Sequence, residues 1–376
     1  MAIEYVEIRD ANTDIIGIID TANSIIWHSV YFGVGDFEIY VKASPEINAL
    51  LQVGNYVTRP DDLEVGIIET IAIAENPQDG AMVTATGRFA KSLLDRRLIY
   101  NLSGSTNTPT ILRGNVETEV RRLVEENAIA CKFDSKRNIP ILELGALAGI
   151  EQRIVDGDGY ATQKQVSYQN LLEYTDEVLA EYGMAATVIL DADARKLQYI
   201  IYSGVDRSSE NAAGYAPIVF SKDYDNLINT DYQYSTATEK NVALIGGEGE
   251  GTERFYSLVA GKKTGIERRE MWVDAASLNR TYKDDSGAEK TYTDTEYRAM
   301  LDAQGKQNLQ MQVATETFNG TIDITNSMWK YNVDFALGDV VTMQNNDIGK
   351  YINVRLREVL EVQDENGYAI EANNQT

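Results

Sequence analysis

The sequence predicts an α+β protein that is mainly β: two similar β-domains, with α/β and helical segments inserted. Three observations carry this reading. Short apolar or alternating runs bounded by Gly, Asn and Asp fill both ends of the chain. In stretches between them the apolar period changes to three or four. One strand pattern is also written twice, first from Val53 to Ala85 and again about 285 positions later, from Leu337 to Ala372.

The first hundred residues read as a small β-barrel or sandwich. DIIGIID (Asp14 to Asp20) and DFEIYVKA (Asp36 to Ala43) are strand-like runs, and NPQDG (Asn76 to Gly80) is a turn between GIIETIAIAE and AMVTATG. From Asn115 the spacing of Val116, Val120, Leu123, Val124 and Ala128 predicts a helix capped by Asn115. A second helix is expected in SYQNLLEYTDEVLAEYG, with Ser167 as cap and Gly183 as stop. MAATVIL, a DADARK turn and LQYIIYSG form a hairpin. Strand chemistry returns in APIVFS, YQYSTATEKNVALIGG and RFYSLVAG. A polar stretch then holds a turn at Asp285 to Gly287 and a helix whose Asp294 and Glu296 suit its positive end. The last sixty or so residues are strands again. These changes of character divide the chain into a first β-domain, 1–112; an α/β domain, 113–216; a second β-domain, 217–245 with 306–376; and an inserted loop and helix domain, 246–305.

The repeat aligns residue by residue. Val53-Gly54-Asn55-Tyr56-Val57-Thr58 corresponds to Leu337-Gly338-Asp339-Val340-Val341-Thr342, Glu69 to Glu358, Gly80 to Gly367 and Ala85 to Ala372. Glycine recurs for a physical reason, since tight or bulged turns need positive φ. Three chains with two such domains each would place six similar domains in a ring, which is how a three-fold object meets a six-fold one.

Composition narrows function. A formal charge of -24 from 58 acids and 34 bases works against phosphate contacts, so stable nucleic-acid binding is not expected. Such a charge favours solubility, and a surface carrying it would not retain a passing polyanion. The single cysteine, Cys131, excludes an intrachain disulfide and fits assembly in a reducing cytoplasm. MAIEYVEIRDANTD lacks the basic and apolar regions of a secretory signal, and no window approaches the roughly 18 apolar residues of a membrane span.

No catalytic, cofactor or metal constellation emerges. His28 is the one histidine, in strand-like IIWHSVYF with no nucleophile motif nearby, and reads as structural, as Cys131 reads as core. GGEGEG (Gly246 to Gly251) carries acids that would repel phosphate and is flanked by strands, so a long, mobile hairpin loop is expected. DGDG (Asp156 to Gly159) lacks the later ligands of a calcium loop. The acidic pairs Asp61/Asp62, Glu125/Glu126 and Asp284/Asp285 match the residue type of glycoside hydrolysis, yet nothing in the sequence singles one out.

Six ordered motifs carry a family resemblance: IIWHSVYFGVGDFEIYV, LLQVGNYVTRPDDLEVGIIE, GRFAKSLLDRRLI, NVALIGGEGEGTER, GIERREMWVDA and YNVDFALGDVVT. Together the chain resembles the tail-tip proteins of long-tailed siphophages. These are similar to the baseplate hub of contractile-tailed phages and to the N-terminal part of tail-associated lysins. Trp27, Gly35, Asp36, Phe37, Gly66, Ile67, Gly247, Gly249, Gly251, Arg268, Arg269 and Glu270 carry most of the likeness, with Gly54, Gly338 and Asp339 marking the repeat. The resemblance implies tube-type β-barrels in a homotrimer that closes the tail tube at the virion tail tip. A hexameric distal tail protein and the end of the tape-measure protein would lie above it, and a fibre, spike or receptor-binding assembly below. DNA would pass through the lumen without being bound, eased if the acids line it. Some relatives continue into a peptidase or muramidase domain. This sequence ends at ENGYAIEANNQT, so wall-degrading activity is expected in another protein. The competing readings are a tail-associated cell-wall-degrading enzyme, and a host carbohydrate-binding module, to which the 22 tyrosines lend weight.

Overall fold

In a computed structural model of the chain, residues 3–77, 80–155, 161–283, 288–322 and 327–373 are described. They form two compact units, one of Met1–Ile154, Thr162–Tyr232 and Phe318–Thr376, the other of Val155–Ala161 and Gln233–Thr317. The fold is mainly β, with an α/β insertion.

The frame of the first unit is an eleven-stranded sheet. Four strands open it in the order Ile228–Ser235, Thr315–Ile322, Gly367–Asn373 and Glu358–Asp364. The next four are Ser24–Val30, Asp36–Lys42, Gly80–Phe89 and Val65–Asn76, and the sheet ends with Tyr56–Thr58, Val6–Arg9 and Ile15–Ile19. Each group of four has the same spatial order, built around a hairpin: Val65–Asn76 with Gly80–Phe89 in one, Glu358–Asp364 with Gly367–Asn373 in the other. The twofold pattern in the sequence is therefore a tandem of two four-strand modules in one sheet. Where the first module turns between Ser24–Val30 and Asp36–Lys42, the chain of the second leaves the sheet to build the second unit.

Alternation explains the strands. In Asp36–Lys42, Phe37, Ile39 and Val41 are buried and lie on one face, as period two demands. The α/β insertion follows the first module. The helix Val116–Val124 starts where Asn115 accepts from the Thr118 N–H, and its Val120, Leu123 and Val124 are fully buried. The second helix begins at Leu171, and its cap lies three residues beyond the expected one: Asn170, not Ser167, accepts from Leu172 and Glu173. Backbone bonds between Ile99 and both Tyr168 and Gln169, and from Leu171 to Arg97, hold the intervening residues out of helical geometry, with Tyr168 at φ +64, so the helix cannot start earlier. Gly183, at φ +67, ends it as expected. The hairpin Ala185–Asp191 with Lys196–Tyr202 completes this core with Leu197 and Tyr199.

In the second unit, Val242–Gly246 lies between Tyr256–Ala260 and Glu270–Asp274. The helix Asp294–Gln310 opens with a capping box between Thr293 and Glu296, and packs Tyr297 and Leu301 on Ala243 and Ile245. The expected turn at Asp285 to Gly287, the pair Asp284/Asp285 and the DGDG stretch lie outside the described residues.

Candidate functional site at the sheet joint

The two modules meet where Glu358–Asp364 runs antiparallel to Ser24–Val30, with Glu361 opposite Trp27. Trp27 is fully buried, 5.8 Å from the Phe37 ring and 4.8 Å from that of Phe89. Two glycines make this packing possible. A Cβ on Gly66 would lie 2.4 Å from the Phe37 ring, and one on Gly35 would lie 2.0 Å from the His28 carbonyl oxygen and 2.7 Å from Phe89. Ile67 packs beside Gly66 in the core, whereas Asp36 is exposed and faces the His28 ring nitrogen at 3.3 Å.

Arg59 locks the joint. Its guanidinium lies 5.3 Å over the Trp27 ring and donates to Glu361 at 3.0 and 3.2 Å and to Asp61 at 3.0 and 2.8 Å. The Arg59 and Glu361 side chains are 1% and 4% exposed, and the Tyr368 hydroxyl also donates to Glu361. Burial alone would weaken the Arg59 charge, but Asp61 and Glu361 more than offset it and hold the guanidinium above its ordinary range. Asp61 is held below the usual carboxylate range: burial opposes its charge and the bonds from Arg59 outweigh that.

Beside the lock lies a cavity of about 580 Å³ walled by Asp62, Glu64, Thr187, Tyr202 and Tyr331. Burial pushes Glu64 up to about 7, with the Asp62 charge adding to it and a bond from Thr187 opposing. Burial likewise pushes Asp62 up to about 6, against the pull of Arg59. Of the two acidic pairs that lie among the described residues, Asp61/Asp62 is thus singled out by its surroundings.

The repeat extends to individual hydrogen bonds. Gly54 N–H donates to Ile68 and Ile68 N–H to Asn55; Gly338 N–H donates to Leu356 and Leu356 N–H to Asp339, all at 2.8 to 2.9 Å. Gly54 and Gly338 share φ values of +93 and +91, and Gly80 and Gly367 both have positive φ. Asp339 differs from Asn55 in being tied by its carboxylate to Val205 N–H, Arg207 and Ala336 N–H. These bonds correct one pairing of the alignment. Ile68 matches Leu356, so Glu69 matches Arg357, and Thr70 matches Glu358. Glu69 sits at a bulge between Ile68 and Thr70, and at the same place the second module breaks its strand between Arg355 and Glu358.

Both outer edges of the paired modules are open among the described residues. Beyond Ile68, Val65–Asn76 pairs only with Gly80–Phe89, and Ile228–Ser235 ends the sheet. Ile73 is 58% exposed on the first edge, and Ile228 and Tyr234 are 46% and 57% exposed on the second.

The remaining sequence-chosen residues lie in the second unit, not at the joint. Gly247, Gly249 and Gly251 form the hairpin loop between Val242–Gly246 and Tyr256–Ala260. It is fastened rather than loose: Arg254 donates to the Gly246 and Gly247 carbonyls, and the Tyr297 hydroxyl accepts from Glu248 N–H at 2.7 Å. Gly249 needs its φ of +104 to pass the Glu253 backbone. Arg268 pairs with Glu270 at 2.6 Å, and Arg269 with Glu239 at 3.2 Å. Arg59, Glu64 and Glu361 were missed by sequence reasoning. RPDD places a cation among acids, but its partner Glu361 is 302 positions away. Among the described residues no group of three or more His, Cys, Asp or Glu is arranged to hold a metal ion, and no helix is long and apolar enough to cross a membrane.

The family described as Siphovirus ReqiPepy6 Gp37-like protein matches residues 5–373. No curated protein sequence matches. Among solved structures, the chain is similar to the tail protein from Neisseria meningitidis MC58, with 11% identity over 99% of this chain and 96% of that one and a TM-score of 0.56. It is equally similar to the 43 kDa tail protein of prophage MuSo2 from Shewanella oneidensis, with 12% identity over 99% and 98% and a TM-score of 0.56. At such identity the likeness is one of fold.

Proposed function

Because the chain belongs to the siphovirus Gp37-like family of tail proteins, we propose that it is the hub at the tail tip, a homotrimer that closes the tail tube, adapts six-fold to three-fold symmetry and opens for DNA. The tandem of four-strand modules carries this reading. One joint between modules already exists inside the chain, and its two open edges are of the kind that the joint consumes.

The repeat supplies the register. Ile73 is equivalent to Glu361, three positions beyond Thr70 and Glu358. On the other side, Gly320 and Ile322 face Ala372 and Ile370 as Ile39 and Val41 face Ala85 and Val83, so Phe318 is equivalent to Phe37. Tyr232 packs against Phe318 at 6.3 Å as Trp27 packs against Phe37, which makes Tyr232 the counterpart of Trp27. A second copy laying its Ile228–Ser235 along Thr70–Asn76 would set Tyr232 opposite Ile73, cover both exposed edges and repeat the joint. Three copies would close six modules into a ring.

Such a ring fits beneath a hexameric distal tail protein, with the end of the tape-measure protein above or within it and a fibre, spike or receptor-binding assembly below, at the tip of a virion built in the host cytoplasm. The charge of -24 would let DNA pass without adsorbing, if the acids face the lumen. The role is structural rather than enzymatic. Light scattering on the purified chain, alone and with a distal tail ring, tests it: a trimer in either condition is expected, and a monomer in both contradicts the reading.

A further inference from the structure

We propose that the loop from Arg59 to Glu64 is a proton-operated clamp on the joint: protonated Asp62 and Glu64 hold the first module against the Ala185–Asp191 strand and the Trp329–Leu337 segment, and their ionisation loosens that contact. The loop touches all three parts of the first unit. Arg59 reaches Glu361 of the second module, Glu64 bridges to Ile189 and accepts from the Thr187 hydroxyl at 2.7 Å, and Asp62 and Glu64 share the cavity wall with Tyr331 and Phe335.

Among the described residues, the cations that act on the two carboxyls or line their cavity are already committed. Arg59 is bound by Asp61 and Glu361, Lys91 by Asp176 at 2.9 Å, and Arg207, on the cavity wall, by Asp339 at 3.0 Å. The other groups facing the pair are acidic or neutral: Asp61 on the loop, Glu361 on its strand, Asp334 on the wall, and the Tyr202 and Tyr331 phenols, which burial keeps protonated. Two ionised carboxylates in this cavity repel each other, and Asp62 also repels Glu361, with only the already bound Arg59 and Lys91 and the Glu64 N–H bond to Asp62 to offset them. A protonated carboxyl instead becomes a hydrogen-bond donor that a phenol oxygen can accept.

Hydrogen exchange on the purified full chain tests the clamp, whether or not the chain assembles. Amides of 61–64 and 329–337, corrected for intrinsic rates, should be at least about tenfold better protected at about pH 5.5 than at about pH 8. In Asp62→Asn with Glu64→Gln, high protection should persist at both values. If that double variant does not fold, Glu64→Gln alone should remove the part of the transition centred near 7. A native protein with no such pH difference, or a neutralised variant that keeps it, would overturn the proposal.

Discussion

Removing Arg59 should cost far more than removing its partner Glu361. Arg59→Met leaves Glu361, 4% exposed, with only the Tyr368 hydroxyl to meet its charge, and takes both bonds from Asp61. Stranding a buried charge in this way costs about 3–5 kcal/mol. Glu361→Met leaves the guanidinium still gripped by Asp61, itself partly open to water, and should cost about 1–3 kcal/mol, as for a lost charge-assisted bond. The double variant has no stranded charge at the joint, so it should be more stable than Arg59→Met alone, with a coupling of roughly 2 kcal/mol or more. Urea unfolding followed by tryptophan fluorescence reads this out. In a Trp272→Phe background the remaining Trp27 and Trp329 report on the first unit alone. Strictly additive single effects, or an Arg59→Met cost below about 1 kcal/mol, would refute the reasoning.

Other outcomes follow from the same geometry. Gly338→Ala should cost more than Gly54→Ala: both pay about 1–3 kcal/mol for positive φ, but only the first drives a Cβ to 2.2 Å from the Tyr31 ring, as thermal melts would show. Asn170→Ala should destabilise by about 1 kcal/mol through its lost cap, whereas Ser167→Ala, which loses one bond from Asn107, should cost less. The melting temperature should rise as pH falls from about 8 through 7 and 6, because native Glu64 and Asp62 take up protons before the unfolded chain does, each carrying about 3 kcal/mol of penalty at high pH. It should fall again in stronger acid, where Asp61 and Glu69, held below their ordinary range, must protonate. A melting temperature that falls steadily from pH 8 downward would contradict this.

Local physics was legible where it acts over a few residues. Asn115 and Gly183 fix helix ends by bonds or dihedrals within a turn, Asp294 and Glu296 lie in the first turn of the helix they were expected to open, and the paired glycines betray the modules because their positive φ recurs. What escaped depended on distant partners. Ser167 has cap chemistry, but backbone bonds to Arg97 and Ile99 move the helix start to Asn170. Glu69 and Glu358 look equivalent until the backbone bonds that match Ile68 with Leu356 place Thr70, not Glu69, opposite Glu358 in the alignment. Asp61 and Asp62 read as one more acidic pair because Glu361, which together with Arg59 makes their loop a joint, lies at the far end of the chain.

The central claim is that the chain repeats its own joint between copies. Ala74 and Asp231 occupy the positions equivalent to Val362 and Ile26, which face each other across the internal joint, and both are exposed. With Ala74→Cys and Asp231→Cys in a chain whose one native cysteine is buried, oxidation of the assembled protein should yield covalent species ending at the trimer on a non-reducing gel. Oxidation that leaves only monomer, while trimers are seen by light scattering, would contradict the account.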